Sequence, residues 1–207
     1  MDAAALPTRY CVELPAWVLE EVAEVPEVLP SYEDRMALVN RLASRNHKEG
    51  NGGPFAAIVV ESDSGRVVSV GVNNVLGSGI SSAHAEVVAL ALAQTAVGGW
   101  DLGAAGGPAR ELVVNWRPCV QCYGASMWSG ITRLVVAGDG PELEELTTFD
   151  EGPMVLDWAA QFEARGIEVV QDVLREQALE VYREYRDSIA AQGVIVYNAR
   201  GASTGGA

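Results

Sequence analysis

The chain has 207 residues, of which 49% are hydrophobic and 20% are charged, which is enough to bury a single globular core. Its formal net charge of −14, from 28 acidic and 14 basic residues, argues against binding to duplex DNA or long RNA, because such binding starts from a basic surface. No apolar stretch approaches the roughly 20 residues of a membrane-spanning helix, and no secretory leader is recognisable. We therefore expect a cytoplasmic protein with neither a nucleic-acid nor a membrane partner.

Residues 1–31 are predicted to form an irregular arm or one short helix, because four prolines interrupt their short apolar pieces. The sequence does not indicate the role of this arm. A helix is predicted from Ser31, a good N-cap residue, to a stop at Gly50, because apolar residues recur between them at helical spacing. We expect one domain over residues 32–192, followed by a C-terminal segment over residues 193–207.

Two antiparallel strands are predicted at residues 55–60 and 66–70, because apolar runs flank a turn sequence at residues 62–65. A helix is expected to begin at Ser81 or Ser82 and to end near Val97. The rest of the chain alternates between strands and helices, with strands at 111–116, 133–137 and 167–171 and helices at 119–129, 153–165 and 174–191. This alternation favours parallel strands with helices on both faces of an α/β fold. The glycine-rich end at 201–207 is expected to be disordered.

The motifs that indicate chemistry are His84-Ala85-Glu86, near the start of one predicted helix, and Pro118-Cys119-Val120-Gln121-Cys122, at the start of another. Residues three apart on a helix differ by about 60° in direction, so both thiolates can face one metal ion. Helix N-termini also favour the thiolate form of cysteine. His84, Cys119 and Cys122 would leave the fourth tetrahedral position of a zinc ion (Zn2+) for water, which is typical of catalytic zinc.

Two other interpretations of these motifs are weaker. A structural zinc site needs a fourth ligand, and the remaining candidates, Cys11 and His47, belong to no second ligand pair. Cys11 is expected to be a small apolar residue, and His47 a polar residue placed favourably at a helix C-terminus. A redox pair of the thioredoxin type would leave His84 and Glu86 without a role.

Glu86 is predicted to move protons, because a carboxylate beside zinc-bound water can take its proton and return it to a leaving amine. His-x-Glu together with Pro-Cys-x-x-Cys is the signature of zinc deaminases that act on nucleobases. The chain from about Tyr32 to Asp150 resembles the cytidine deaminase superfamily, and within it the bacterial guanine deaminases most. The resemblance implies a three-layer α/β/α fold with a mixed five-stranded sheet. It also implies a hydrolase of purine metabolism, in which zinc-bound hydroxide attacks a ring carbon of a guanine-like base and ammonia leaves.

By the same resemblance, Phe55 stacks on the substrate ring, Asn73 hydrogen-bonds it, the backbone of Ala85 touches it and Trp128 forms a wall of the pocket. The segments that carry this match are residues 51–57, 73–75 and 124–128. Each contact has a structural alternative, since Phe55 and Trp128 could pack in the core and Asn73 could be a turn residue.

The sequence also departs from the family pattern. Asn115-Trp116-Arg117 places a basic residue where the family commonly has an acidic one, and the Asp-Pro often found before the histidine motif is absent. These departures leave the zinc chemistry intact and put guanine itself in doubt.

Two residues near the end of the chain are further candidates for substrate contact by resemblance. Asp150, in a family-like Phe-Asp element, is a candidate ring-binding carboxylate. The apolar run at residues 194–197 must pack somewhere, and in the guanine deaminase subgroup the C-terminal segment closes over the site, so Tyr197 is a candidate lid residue. A structural edge strand or surface clamp is the alternative.

Several alternatives stay open for the activity. The ring could be cytosine, an aminotriazine or a nucleoside, and the chain could be a deaminase-fold binding module without turnover. Riboflavin-pathway deaminases usually have a longer spacing between the cysteines, and free-cytidine deaminases usually have cysteine in place of His84. A tRNA adenosine deaminase would need a basic RNA-binding face. The resemblance further implies a homodimer, because related base deaminases pair through the helices beside the active site.

Overall fold

The computed structural model describes residues 6–193 and 195–198. The helices and strands are, in chain order, α1 (Ala16–Ala23), α2 (Tyr32–Lys48), β1 (Ala56–Glu61), β2 (Val67–Val72), α3 (Val75–Ser78), α4 (Ala85–Val97), β3 (Arg110–Val114), α5 (Val120–Trp128), β4 (Arg133–Val136), α6 (Glu142–Thr147), α7 (Trp158–Glu163), β5 (Glu168–Val170) and α8 (Arg175–Gln192). Within the described ranges, every helix is too short or too polar to cross a membrane.

The five strands form one mixed sheet in the order β2-β1-β3-β4-β5. β1 is antiparallel to both β2 and β3, whereas β3, β4 and β5 run parallel. Alternate residues of β1 face two separate cores: Ile58 and Val60 join the core with α2 and α8, and Val59 joins the core with α4 and α7. The sheet therefore lies between two helical layers, which confirms the predicted three-layer fold.

The N-terminus of α2 is fixed by the residue that the sequence indicated. The Ser31 hydroxyl accepts a hydrogen bond from the Asp34 backbone at 3.0 Å, and the Asp34 carboxylate accepts one from the Ser31 backbone at 3.3 Å. This reciprocal arrangement is a capping box, which satisfies two amide groups that an uncapped helix would leave free.

The N-terminal arm contains one short helix, α1, which packs on α2. Trp17 and Val18 are buried, and the Arg45 guanidinium lies over the Trp17 ring, 5.0 Å from its centroid. Glu21 forms ion pairs of 2.7 Å with Arg41 and with Arg45. The arm is thus attached to the helix that supports the middle of the sheet.

The predicted start of α4 was wrong. The helix begins at Ala85, with His84 in an extended conformation as its N-cap, and not at Ser81 or Ser82. Ala83 donates its backbone N–H to Ile80, and its carbonyl accepts a hydrogen bond from Asn74. These bonds hold the preceding turn against the end of β2, so the helix starts only after the turn.

The predicted helix at 153–165 was too long, because α7 occupies only Trp158–Glu163. The Glu151 carbonyl accepts a hydrogen bond from the backbone of Val120, and the Gly152 backbone donates to the Asp150 carboxylate. The chain is held near the start of α5 by these bonds and becomes helical after leaving it. The short helices α3 and α6 were also absent from the prediction.

The contact between β2 and α4 depends on Gly71. A Cβ atom at this position would lie 2.3 Å from the Ala85 carbonyl oxygen and 2.5 Å from the Ala89 nitrogen. The helix therefore rests directly on the strand backbone, with His84 at its N-terminus.

Candidate active site

Three potential metal ligands meet where the N-termini of α4 and α5 converge. His84 is the N-cap of α4, Cys119 is the N-cap of α5, and Cys122 lies in the first turn of α5. His84 Nδ1 is 3.4 Å from Cys119 Sγ and 3.5 Å from Cys122 Sγ, and the three ligand atoms lie within 4.8 Å of one another. Zinc–sulfur and zinc–nitrogen bonds of ordinary length at a tetrahedral angle separate the two ligand atoms by about 3.6 Å. The donor set therefore fits a zinc ion.

The pKa values of the two thiols shift in opposite directions. A hydrogen bond from Cys122, together with His84, lowers the pKa of Cys119 to about 4. Burial, followed by the contact with Cys119, raises the pKa of Cys122 well above its ordinary value. Burial alone would lower the pKa of His84, but the hydrogen bond and charge of Cys119 raise it overall. Such a buried, electron-rich cluster is one that a divalent cation would stabilise.

A cavity of about 320 Å³ opens beside these ligands. His84, Cys119 and Glu86 form its metal side, and the aromatic residues Phe55, Trp116 and Phe149 contribute apolar walls. A somewhat larger groove, about 430 Å³, lies between the N-terminal arm and β2, but it contains none of the metal ligands. We therefore assign the chemistry to the smaller cavity.

Glu86 lies where the sequence placed it, in the first turn of α4 and in the wall of the cavity. Its side chain is buried, with the residue only 6% exposed. Burial raises the pKa of Glu86, and the negative charge of Cys119 raises it further. A carboxyl group whose proton affinity is raised in this way is suited to accept and return a proton.

Glu151 is a second buried carboxyl group of the cavity, and the sequence interpretation missed it. Burial, with the charges of Cys119 and Glu86, raises its pKa to about 8. The neighbouring Asp150, which was the predicted ring-binding carboxylate, also lines the cavity, but it is exposed and its Oδ1 accepts a hydrogen bond from Gly152 at 2.9 Å. Two adjacent acidic residues, Asp150 and Glu151, are visible in the sequence, but the sequence alone does not tell which of their side chains faces the cavity.

Asn73 and Phe55 both line the cavity, as the resemblance implied. Asn73 is 1% exposed, its backbone donates to the Phe55 carbonyl at 3.0 Å, and its Oδ1 accepts from the Val75 backbone at 3.3 Å. Ala85 is fully buried behind the cavity wall, and its carbonyl faces Gly71. The structure therefore brings Asn73 and Phe55 to the site but leaves Ala85 outside the lining of the cavity.

Trp128, which the resemblance assigned to the pocket wall, does not line the cavity formed by the described residues. Trp128 is the last residue of α5 and is 83% exposed. Nine helical residues span about 13 Å, so α5 carries Trp128 away from Cys119 at its other end. Trp116 is the tryptophan that lines the cavity, where it is 1% exposed and donates from Nε1 to the Gly140 carbonyl at 3.1 Å.

The C-terminal segment also lines the cavity, through Tyr197 and Asn198. The Tyr197 hydroxyl accepts a hydrogen bond from the Gly53 backbone at 3.2 Å. Asn198 accepts from the Asp150 backbone at 3.0 Å and donates to the Thr148 carbonyl at 2.8 Å. The predicted disordered end at 201–207, like residue 194 of the apolar run, lies outside the described residues.

Comparisons of sequence and structure relate this chain to known deaminases. Residues 30–138 match the sequence model of a family described as the cytidine and deoxycytidylate deaminase zinc-binding region. The guanine deaminase of Bacillus subtilis (strain 168) is 30% identical over 146 residues, covering 70% of this chain and 88% of that protein. The structure of a guanine deaminase from Nitrosomonas europaea is 41% identical, covers 88% of this chain and 98% of its own, and superposes with a TM-score of 0.82. A structure determined in complex with 8-azaguanine is also 41% identical, with coverage of 87% and 98% and a TM-score of 0.81.

Proposed function

We propose, from the premise that the chain belongs to the cytidine and deoxycytidylate deaminase family, that it is a zinc-dependent hydrolase that deaminates free guanine to xanthine and ammonia. The observation that carries the choice of guanine is Glu151, the second buried carboxyl group in the cavity. His84, Cys119 and Cys122 would hold the zinc ion. When bound there, zinc supplies Lewis-acid activation of water.

Glu151 favours guanine because of the edge that this base presents. A zinc ion held by Cys119 would offset the negative charge that raises the pKa of Glu151, which favours its carboxylate form. The amino-bearing carbon of guanine is flanked by a ring N–H, so two adjacent donors can meet the two oxygens of this carboxylate. Cytosine and adenine have an acceptor nitrogen beside their amino group. They therefore offer one donor and one lone pair, which a carboxylate recognises less well.

The other residues of the cavity bind the ring and exclude water. Phe55, Trp116 and Phe149 supply apolar surface for its faces, and the Asn73 amide supplies one donor group and one acceptor for its edge. Glu86 takes a proton from the attacking water and delivers it to the departing amine. The volume of about 320 Å³ is at the small end of ligand pockets, roughly 300–1,000 Å³, which favours a free base over a nucleoside.

The test is turnover by the purified zinc-loaded protein across guanine, guanosine, adenine, cytosine and aminotriazines, followed as ammonia release. We expect guanine to be hydrolysed and guanosine to be inert. Turnover of cytosine or of an aminotriazine in preference to guanine would refute the choice of ring. Absence of turnover with every compound would leave a binding module.

We also propose that the protein is a homodimer, with a contact surface on α5. Trp128, at the C-terminal end of this helix, is 83% exposed and lies outside the cavity lining, which is unusual for so large an apolar side chain. Light scattering should give a dimer at micromolar concentration. Trp128→Asp should shift the equilibrium towards monomer. The control Leu19→Asp, which changes an exposed leucine on α1, should not. A monomeric wild-type protein would contradict the proposal.

The use of both cysteines as zinc ligands requires reduced thiols. On this ground we propose a cytoplasmic location, which fractionation of the source cells would test.

A further inference from the structure

Asn46, in the last turn of α2, joins two loops that form one side of the cavity. Its side chain is fully buried. Nδ2 donates one hydrogen bond to the Gly53 carbonyl and one to the Asn73 carbonyl, both at 2.8 Å. Gly53 precedes β1 and Asn73 follows β2, so one amide group connects two separate segments of the chain.

The orientation of this amide follows from its neighbours. Both facing groups are carbonyl acceptors, so only the NH2 end of Asn46 can point at them. The Oδ1 atom is buried and has no hydrogen-bond partner among the described residues. Both donors are thus used on the two loops, while an unsatisfied acceptor is tolerated in the interior.

The two loops that Asn46 connects lead directly to the cavity. The Gly53 backbone donates to Tyr197, and a Cβ atom at Gly53 would lie 2.8 Å from the Phe55 ring and 2.9 Å from the Phe149 ring. A Cβ atom at Gly52 would lie 2.2 Å from Asn73 Oδ1. The glycine loop therefore fits closely against the Asn73 side chain and the aromatic wall, and a shift of either loop would move the Asn73 amide.

We infer that Asn46 is a positioning residue for recognition of the ring. It holds Asn73 against the Gly52–Gly53 loop, which presents the Asn73 amide to the substrate. Asn46 is not among the residues that line the cavity, so it acts through the two loops that it joins, and Asn73 is the residue of those loops to which the proposed function gives a hydrogen bond with the ring. The inference rests on the proposed function, in which Asn73 hydrogen-bonds the base.

The first arm of the test compares Asn46→Ala with Asn40→Ala. Asn40 is a matched control, because it is a buried asparagine on the same helix whose side chain makes no hydrogen bond to either loop among the described residues. We expect Asn46→Ala to keep its zinc and circular dichroism but to lose about tenfold or more in kcat/KM for guanine, the effect of about one well-placed hydrogen bond. Affinity for 8-azaguanine, measured by calorimetry in a Glu86→Gln background, should fall equally. Asn40→Ala should match the wild type in both measurements.

The second arm is a double-mutant cycle with Asn73→Ala. If Asn46 acts through Asn73, the double variant should be no worse than Asn73→Ala alone in kcat/KM and in 8-azaguanine affinity. Additive losses, or wild-type behaviour of either single variant, would overturn the inference. If Asn46→Ala is not recovered folded with zinc, Asn46→Ser, which keeps one donor, takes its place in the same cycle. Failure of the wild-type protein to turn over guanine or bind 8-azaguanine would instead refute the proposed function.

Discussion

Replacing Glu86 with glutamine should separate proton transfer from metal binding and folding. Glutamine has nearly the same size and shape, and Glu86 is buried in the first turn of α4, so the cavity wall should be preserved. A positioned proton shuttle typically contributes 10²–10⁴-fold, or about 3–5 kcal/mol of barrier. We therefore expect Glu86→Gln to lower turnover by about 10³-fold, near the middle of that range.

The assay measures xanthine formation, zinc per chain and thermal unfolding on the same preparation. Glu184→Gln is the control, since this carboxylate on α8 lies outside the cavity and pairs with Lys48 at 2.8 Å. The Glu86 variant should keep its zinc, and its unfolding midpoint should move by less than about 4 °C, which corresponds to roughly 1 kcal/mol in a chain of this size. Wild-type turnover in the zinc-loaded variant would refute the role of Glu86. Loss of zinc together with turnover would show that Glu86 acts through metal retention.

Three further predictions concern the metal, the C-terminal segment and a buried histidine. Freshly purified protein should contain about one zinc per chain. Cys119→Ala or Cys122→Ala should lower both the zinc content and the unfolding midpoint, whereas the control Cys11→Ala should lower neither. Failure of the wild-type protein to take up zinc on reconstitution would contradict the site. Removal of residues 193–207 should leave zinc content and secondary structure intact but reduce kcat/KM by about tenfold or more, because the segment completes the cavity wall. Tyr197→Ala should give a similar loss. Unchanged kinetics after the truncation would show that the segment is only structural. Burial, with the charge of Lys48, lowers the pKa of His47 to about 4 from 6.5, whereas Glu184 works in the opposite direction. Because the folded-state pKa is the lower one, the stability that depends on neutral His47 is complete above pH 6.5 and is lost as the pH falls towards 4. His47→Phe should remove this loss in urea titrations of the chelator-treated proteins, and equal pH dependence in the two proteins would contradict the assignment.

The parts of the fold that the sequence predicted are those fixed by local interactions. Ser31 caps α2 through neighbouring atoms, and glycine at positions 50 and 98 adopts the positive φ that ends a helix. The spacing of Cys119 and Cys122 is likewise set by one turn of one helix. These signals need no knowledge of the tertiary structure.

The parts that the sequence could not predict depend on packing between distant segments. Asp150 and Glu151 are adjacent, and the bond from the Val120 backbone to the Glu151 carbonyl contributes to placing Glu151 in the buried position. Trp116 and Trp128 are both plausible pocket residues until the direction of α5 is known. The helices α3 and α6, with 4 and 6 residues, are too short to give a periodic signal.

The close contact between Gly71 of β2 and the start of α4 makes the geometry of the reaction centre depend on the absence of a Cβ atom at this position. An alanine methyl group, 2.3 Å from the Ala85 carbonyl, could be accommodated only by moving α4 about 1 Å outward. His84 and Glu86 would travel together on that helix, whereas Cys119 would stay with α5. A misplacement of about 1 Å can cost 10²-fold in rate even when it originates far from the chemistry. Natural selection for turnover would therefore act on the size of a residue that lies behind α4, outside the cavity lining.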